Sequence, residues 1–284
     1  MENQSVGIVL EGGAMRGIFT AGVMDVLMER GVTFPACVGV SAGAAFGCNL
    51  KSNQPGRVLR YNLNYCRDRR YCSVRSLIKT GDMFGARFCY KTLPDELDIF
   101  DRDVFKSNPM QFWVVCTDVL SGKPHYQRLD EVNDDCYTWI RASASMPLVS
   151  RVVHINGGSY LDGGISDSIP IRFMERQFEK NIVVLTQPRD YIKQPASPMW
   201  LFRRALRRYP NMVTAIANRH QNYNETRDYV FSREQSGSAL IICPNEPLPI
   251  GRVEHHPEVI QKTYDLGRKA AEDKLTEIFS FLQD

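Results

Sequence analysis

The first fifty residues alternate between short apolar runs and longer stretches with helical spacing. Residues 6–10 form an uninterrupted apolar run that stops at a glycine cluster, and residues 36–40 form a second one. Such runs are typical of strands buried on both faces. Apolar residues recur at helical spacing across residues 18–30, and small residues from 42 to 50 predict a second helix. The order strand–helix–strand–helix predicts an α/β fold with a parallel sheet.

The rest of the chain continues this pattern less regularly. Residues 51–108 are polar, basic and aromatic, and we expect helices and loops there that cover the sheet. The remaining apolar runs and turn signals predict strands at 112–119, 181–186 and 239–243, a hairpin at 152–161 that turns at Asn156-Gly157, and helices at 170–180, 211–227 and 257–283. We therefore expect a three-layer sandwich with a parallel-rich central sheet. The simplest division is a catalytic domain at 5–188 and a mostly helical C-terminal extension at 189–284 packed on it.

Composition narrows the class of protein without naming a function. The chain has 284 residues, of which 43% are hydrophobic and 24% charged, and its formal net charge is +3. That charge is too small to indicate nucleic acid as a partner. Glu2 stands where a secretory leader would be basic, and no apolar run approaches the roughly 18 residues of a membrane-spanning helix. We therefore expect a cytoplasmic protein.

The eight cysteines have neither the spacing of a zinc site nor a secretory setting. Cys37, Cys48, Cys116 and Cys243 lie in apolar runs, where a cysteine behaves as a small hydrophobic residue. We expect free thiols, and no metal or other cofactor.

Residues 39–43 match the G-x-S-x-G pattern of a serine nucleophile on a tight strand-to-helix turn. Ser41 follows the second predicted strand, and Gly39 and Gly43 flank it. Such a tight turn requires residues without bulky side chains at these positions. The N-terminus of the next helix points unpaired N–H groups and a positive dipole end at this serine. Ser41 is therefore a candidate nucleophile, which needs a base to take its proton.

A second glycine-rich segment, Glu11-Gly12-Gly13-Ala14-Met15-Arg16-Gly17, lies between the first strand and the first helix. A dinucleotide fingerprint there would need an acidic residue about 20 positions further on, but that region holds the serine elbow instead. The alternative is an oxyanion hole beside Ser41, formed by Gly12, Gly13, Ala14 and Gly17, with Arg16 adding positive charge.

The third motif is Asp162-Gly163-Gly164, which follows the predicted hairpin. Together with the serine elbow and the glycine loop, and in the same order, it resembles the patatin-like phospholipase family. The stretch Ala142-Ser143-Ala144-Ser145-Met146-Pro147 is similar to the segment that precedes the aspartate in that family. The resemblance covers roughly residues 5 to 190. It implies a patatin-like fold and a lipid ester as substrate.

The resemblance also implies a Ser–Asp pair without histidine. Ser41 would attack the ester carbonyl, and Asp162 would accept its proton and return it to the leaving alcohol. Gly163 and Gly164 would support the aspartate. Position 14 departs from the family pattern, because alanine stands where glycine is usual. An alanine N–H still donates, but we expect Ala14 to avoid backbone angles that favour glycine.

Two other functions stay open at this stage. A Ser–His–Asp esterase or an acyltransferase would use the same elbow with a histidine base, and His154 is the first candidate for it. A lipid-binding module without activity is the second alternative. Arg203, Arg204, Arg207 and Arg208 lie among aromatic and aliphatic residues and would suit peripheral contact with an anionic membrane surface, on the inner face of the membrane.

Overall fold

The structure is a computed structural model that describes residues 5–283; Glu2 and Asp284, which entered the sequence argument, lie outside this range. Within it, eight strands form one sheet in the order β5-β6-β3-β2-β1-β7-β8, with β4 paired to β3. The strands are β1 Val6–Leu10, β2 Ala36–Val40, β3 Gln111–Asp118, β4 Pro124–Leu129, β5 Val153–Ile155, β6 Gly158–Asp162, β7 Lys180–Val184 and β8 Ala239–Ile242.

Helices cover both faces of this sheet. They are α1 Gly17–Glu29, α2 Ala42–Lys51, α3 Arg57–Tyr65, α4 Val74–Thr80, α5 Arg102–Ser107, α6 Asp134–Ser143, α7 Ile171–Met174, α8 Met199–Ala205, α9 Pro210–Gln235, α10 Pro257–Glu272 and α11 Leu275–Gln283. A π-helix spans Phe88–Leu97, and short 3₁₀ turns span Ala14–Arg16 and Gly163–Ile165. The predicted fold class is confirmed: a mostly parallel sheet lies between two helical layers.

The central strands are buried on both faces because their side chains point alternately into two cores. Ile8 and Leu10 of β1 pack with α1, α2 and α10, whereas Val9 packs with α7 and α9 on the other face. In β2, Cys37 and Val38 divide between the two cores in the same way. An uninterrupted apolar run is therefore the correct pattern for these strands.

The parallel strands bring their carboxyl ends to one edge of the sheet. Strand β1 pairs in parallel with β2 and β7, β2 with β3, and β7 with β8. Loops that follow parallel strands meet at that edge, where open α/β sheets bind their ligands. The glycine loop after β1 and Ser41 after β2 thus become neighbours.

The antiparallel part of the sheet contains the predicted hairpin. Strands β5 and β6 pair across a turn at Asn156 and Gly157, which have φ of 49° and 77°. The predicted turn is confirmed. No helix within residues 5–283 combines the length and apolarity needed to cross a bilayer.

Three predicted elements need correction. Residues 170–180 contain only α7, because the chain turns after Met174 to begin β7 at Lys180. Residues 257–283 form two helices, α10 and α11, and the turn at 273–274 lets Ile278 reach the buried core. Helix α9 continues to Gln235, beyond the predicted end at 227.

Three elements have no prediction in the sequence. Strand β4 begins with a proline and is largely exposed, so it lacks an apolar run. Helix α6 is capped at its N-terminus by Asn133, whose side chain accepts a hydrogen bond from the Cys136 N–H. Helix α8 is short and has no buried residue.

The C-terminal region joins the sheet and packs on α1. Strand β8 extends the sheet beside β7, and α10 crosses α1 where both helices carry a glycine. A Cβ added to Gly267 would lie 2.0 Å from the Phe19 carbonyl oxygen, and one added to Gly22 would lie 2.2 Å from that of Tyr264. The two backbones therefore approach more closely than any side chain would allow.

We predict that Gly267→Ala destabilises the protein, although alanine is the better helix former by about 1 kcal/mol. The new methyl group would force α1 and α10 apart, which typically costs about 1–3 kcal/mol. Lys262→Ala, at an exposed position of the same helix, is the matched control and should change stability by less than about 0.5 kcal/mol. Urea unfolding of both variants measures the difference. An unchanged or raised midpoint for Gly267→Ala would contradict this packing.

Candidate active site

The register on strand β3 brings Ser41 and Asp162 together. Strand β2 pairs with β3 up to Val40, which lies opposite Val115. Strand β6 pairs with the next part of β3, and Asp162 lies opposite Cys116. The end of β6 thus begins where β2 stops, and the residue after Val40 faces Asp162.

Ser41 and Asp162 form a buried hydrogen bond at this position. Ser41 Oγ donates to Asp162 Oδ2 over 2.7 Å, and only 5% and 4% of the two residues' surfaces are exposed. The other carboxylate oxygen, Oδ1, accepts the Gly164 N–H over 2.8 Å. Both oxygens of Asp162 are therefore oriented, one toward the serine and one toward the backbone.

Burial governs the protonation of this aspartate. Desolvation raises the pKa of Asp162 above its ordinary value, whereas the charge of Arg219 and the hydrogen bond from Ser41 act in the opposite direction. Arg219 lies close, because its Nε donates to the Gly164 carbonyl oxygen over 2.5 Å. A raised pKa makes a carboxylate a stronger base, which suits proton removal from a hydroxyl group.

The backbone of Ser41 has the strained geometry of a nucleophile elbow. Its φ is 54° and its ψ is −116°, angles that cost a non-glycine residue about 1–3 kcal/mol. The turn needs glycine at both flanks: a Cβ on Gly39 would lie 2.4 Å from the Gly43 carbonyl oxygen, and one on Gly43 would lie 2.4 Å from that of Leu10. The sequence G-x-S-x-G thus follows from close backbone contacts.

Ser143 fixes the backbone of the elbow through two hydrogen bonds of its hydroxyl group. Its Oγ accepts the Ser41 N–H over 2.9 Å and donates to the Val115 carbonyl oxygen over 2.6 Å. Ser145 acts nearby, since its carbonyl oxygen accepts the Asp162 N–H over 2.8 Å. The sequence analysis named this serine-containing stretch only as a resemblance. The spacing of its serines gave no sign that one residue positions Ser41 and another positions Asp162.

The glycine loop lies against the elbow, as predicted. A Cβ on Gly12 would lie 2.9 Å from the Val40 carbonyl oxygen, one on Gly13 would lie 2.6 Å from Thr186 Oγ1, and one on Gly17 would lie 2.7 Å from Ala42 Cβ. The contacts of Gly12 and Gly17 therefore hold the loop against the elbow, whereas Gly13 packs on Thr186. The first N–H groups of a helical segment have no partner within it.

Ala14 corrects one expectation. It adopts φ of 50°, in the left-handed region that we expected it to avoid. An alanine can occupy that region at a cost of roughly 1–2 kcal/mol when the surrounding contacts require it. Arg16 completes the 3₁₀ turn that starts at Ala14, and its Nε is buried without a hydrogen-bond partner.

Glu11, to which the sequence analysis gave no role, fixes the start of this loop. Its Oε2 accepts the Thr186 N–H over 2.5 Å and the Thr186 hydroxyl over 3.1 Å, and its Oε1 accepts the Tyr223 hydroxyl over 2.8 Å. Tyr223 belongs to α9, so the C-terminal region helps to position the loop. A signal was present in the sequence, because an acidic residue after a buried strand is unusual without a partner.

Gly163 and Gly164 follow Asp162 and begin the short 3₁₀ turn after β6. A Cβ on Gly163 would lie 2.0 Å from the Val115 carbonyl oxygen, so no larger residue fits there. Thr117 supports the same turn, since its hydroxyl donates to the Asp162 carbonyl oxygen over 2.8 Å.

The five histidines have other neighbours. His154 lies on the edge strand β5, is exposed, and its Nδ1 lies 2.8 Å from Ser159 Oγ. His125 stacks on Trp139 at 5.1 Å between ring centroids. The ring nitrogen Nδ1 of each of the other three is in a hydrogen bond elsewhere: that of His220 with the Ala217 carbonyl oxygen, that of His255 with the Cys66 carbonyl oxygen and that of His256 with the Glu254 carboxylate. The only side chain within residues 5–283 to which Ser41 Oγ is hydrogen-bonded is that of Asp162.

An apolar cavity opens beside Ser41. It encloses about 880 Å³ when the space at its open mouth is included. Nearly half of its lining residues come from the region 51–108, for which the sequence predicts helices and loops: Arg57, Tyr61, Tyr71, Phe84, Cys89, Tyr90, Leu93, Pro94 and Phe100. Ala14, Ala42 and Ala45 line the end near the serine.

The cysteines and the arginine cluster make no hydrogen bond to Ser41 or Asp162 through their side chains within residues 5–283. All eight cysteines are free thiols, as predicted, and six of them are buried. No group of three potential metal-binding side chains occurs in the described part of the chain. The arginines at 203, 204, 207 and 208 are exposed in and after α8.

Comparison with known proteins gives consistent results. A family model described as patatin-like phospholipase matches residues 8–174, and a domain family of unknown function, DUF6363, matches residues 209–283. YjjU, an uncharacterized protein of Escherichia coli K12, is 28% identical over 93% of this chain and 75% of its own length.

More distant relatives include lysophospholipases named NTE1. The protein from Candida albicans is 28% identical over 65% of this chain, and that from Cryptococcus neoformans is 26% identical over 70%. The matched regions span only 13% and 12% of those two proteins. Among solved structures, VipD from Legionella pneumophila aligns with a TM-score of 0.48 and 13% identity over 96% of this chain and 67% of its own.

The family match covers more than half of the chain and includes the serine elbow, the glycine loop and the aspartate motif. It confirms the family predicted from these three motifs, and with it the enzyme class, a hydrolase of lipid esters. The chain belongs to the patatin-like phospholipase family.

Proposed function

We propose that this protein hydrolyses carboxylic esters of lipids through an acyl-Ser41 intermediate, with Asp162 as the base. The observation that carries the proposal is the buried 2.7 Å hydrogen bond from Ser41 Oγ to Asp162 Oδ2. It places a base within reach of a serine that already stands on a strained elbow.

In the first step, Ser41 Oγ attacks the ester carbonyl carbon while its proton passes to Asp162. The carbonyl oxygen becomes an oxyanion, for which the N–H groups of the loop at Gly12, Gly13 and Ala14 are the candidate donors. The carbon–oxygen bond to the alcohol then breaks, and Asp162 returns the proton to the leaving oxygen. The acyl group stays on Ser41.

In the second step, Asp162 takes a proton from water, and the resulting hydroxide equivalent attacks the acyl carbon. Collapse of that intermediate releases the carboxylic acid and returns the proton to Ser41 Oγ. The oxyanion donors carry much of the stabilisation, because removing one such donor typically costs about 3 kcal/mol.

The cavity beside Ser41 supports an acyl chain as the group that is bound. Its wall is mainly aromatic and aliphatic, and it begins at Ala42 and Ala45, within one turn of the serine. Each methylene that leaves water for such a wall gains about 0.8 kcal/mol. The NTE1 relatives are named lysophospholipases, which supports a lysophospholipid as the substrate class.

Exposed aromatic and basic residues support contact with a membrane surface. Trp200 is 65% exposed on α8, next to Leu201, and the arginines at 203, 204, 207 and 208 surround them. Such a surface combines apolar insertion with attraction to anionic headgroups. An enzyme that acts on lipids needs a route to esters in a bilayer.

The dyad predicts different results for two variants treated with a lipophilic fluorophosphonate. The parent protein should gain one adduct in its intact mass, Ser41→Ala should gain none, and Asp162→Asn should react at least 100-fold more slowly, since general-base catalysis typically contributes about 10²–10⁴. Asp103→Asn, at an exposed position of α5, is the matched control and should react like the parent. Equal rates for Asp162→Asn and the parent would move the base elsewhere, and His154→Ala would then be the next variant.

The raised pKa of Asp162 predicts the acid limb of the pH–rate profile. Asp162 must be deprotonated to act as a base, so kcat/KM is lost as the pH falls through its pKa, which burial raises above the model-peptide value of 3.8. Arg219→Met should shift this limb to higher pH, because the positive charge that lowers the pKa is removed. Initial rates on a soluble ester between pH 4 and about 9 measure the acid limb of the parent and of the variant. A shift to lower pH in the variant would contradict the assignment.

The membrane proposal predicts binding to vesicles that depends on charge. The parent should sediment with vesicles that contain anionic lipid. A variant in which the arginines at 203, 204, 207 and 208 are all replaced by glutamine should lose most of that binding, because each basic residue near such a surface contributes about 1 kcal/mol. Binding should also fall at high salt. The same number of substitutions at Arg30, Lys79, Lys106 and Lys262, all exposed, is the control. Equal binding by both fourfold variants would contradict a specific surface.

A further inference from the structure

The C-terminal region supplies three basic side chains that lie outside the apolar cavity. Lys193 lies in the loop before α8, Arg219 on α9, and Arg252 in the loop before α10. The charges of Lys193 and Arg219 act on each other, and each also interacts with Asp162 and Glu11, whereas Arg252 acts on Lys193 and Arg219. None of the three lines the cavity wall.

Lys193 is held in place by its backbone. Its N–H donates to Asn224 Oδ1 over 2.9 Å, and Asn224 Nδ2 donates to its carbonyl oxygen over 3.1 Å. The side chain then extends across Tyr223, with Nζ 4.2 Å from the ring centroid. Because the Tyr223 hydroxyl is bonded to Glu11, this ammonium group lies toward the glycine loop.

Arg219 approaches from one turn earlier on the same face of α9. Its Nε is engaged by the Gly164 carbonyl oxygen, but its two terminal amino groups make no hydrogen bond within residues 5–283. Lys193 Nζ and the Arg252 guanidinium are also without a hydrogen-bond or ion-pair partner among those residues. Several charged donors are therefore uncommitted at one place.

The positive charge here exceeds the negative charge. Burial lowers the pKa of Lys193 to about 7, and Arg219, Arg16 and Arg252 act in the same direction, whereas Glu11 opposes them. Glu11 already accepts three hydrogen bonds and holds the loop. An anion bound between these cations would relieve their mutual repulsion.

We propose that Lys193, Arg219 and Arg252 form a subsite that binds the phosphate group of a glycerophospholipid whose ester lies at Ser41. The inference rests on the proposed function and adds the chemistry of the alcohol side of the substrate. When the acyl chain fills the apolar cavity, the alcohol of the ester lies outside it, and Arg219 lies beside the Asp162 turn through its contact with the Gly164 carbonyl oxygen. Arginine and lysine are the usual phosphate ligands, and charge-assisted hydrogen bonds to phosphate are about twice as strong as neutral ones.

The test compares two substrates that differ only in the phosphate: 1-octanoyl-glycerol 3-phosphate and 1-octanoylglycerol. The parent should have the higher kcat/KM on the phosphate ester. Rates are compared at a pH where Asp162 is fully deprotonated, because the charge of Lys193 also lowers the pKa of that aspartate. There Lys193→Met should lower the value for the phosphate ester about tenfold to hundredfold, the range for one charged hydrogen bond, and should leave hydrolysis of 1-octanoylglycerol within about twofold. Arg252→Gln should act in the same way, and Lys262→Met, on the exposed face of α10, is the matched control.

Three outcomes would overturn the subsite. Equal losses on both esters would make Lys193 a structural residue, and no loss on either would leave it without a role. Inhibition of both esters by inorganic phosphate as strong as that by glycerol 3-phosphate, without any substrate preference, would indicate a site for free anions.

Failure of the proposed function has a different signature. In that case the parent hydrolyses neither ester, and no fluorophosphonate adduct forms on Ser41. Calorimetric titration with glycerol 3-phosphate then tests the subsite alone: binding by the parent that is lost in Lys193→Met supports it, and equal binding or none in both overturns it.

Discussion

The hydrogen bond between Ser41 and Asp162 depends on two strands that share one edge of β3. Strand β2 occupies the first part of that edge and β6 the second, running in the opposite direction. The last residue of β6 is therefore held opposite the residue that follows β2. A serine and an aspartate that are 121 positions apart in sequence become neighbours by register alone. A one-residue slip of β6 would turn the aspartate to the other face of the sheet.

Backbone strain at the elbow is offset by the contacts around it. Ser41 and Ala14 both adopt positive φ, which costs about 1–3 kcal/mol at Ser41 and roughly 1–2 kcal/mol at Ala14. The Ser41 N–H is fixed by Ser143, and the loop that contains Ala14 is fixed by Glu11. The site thus holds its nucleophile and its backbone donors in place before substrate arrives. In the mechanism that we propose, this preorganisation would let the backbone dipoles stabilise the oxyanion without reorganisation during the reaction.

The sequence predicted the parts of this arrangement that short-range rules control. The strands at 6–10 and 36–40, the turn at Asn156-Gly157 and the family follow from apolar runs, turn residues and local motifs. The roles of Ser143 and Glu11 did not follow, because each depends on a partner more than 100 residues away. Strand β4 was missed for a different reason: half-exposed antiparallel strands next to a proline have no distinctive hydrophobic pattern.

The C-terminal region is part of the site rather than a separate layer beside it. The boundary between 188 and 189 stays a prediction, but β8 extends the sheet, and Tyr223 and Arg219 reach the glycine loop and the aspartate turn. The match to DUF6363 begins at residue 209, so it includes both side chains. If the segment 8–174 supplies the nucleophile, the base and the acyl cavity, the region after it supplies positive charge on the alcohol side. In that arrangement, the first region carries out the ester chemistry and the second region recognises the headgroup.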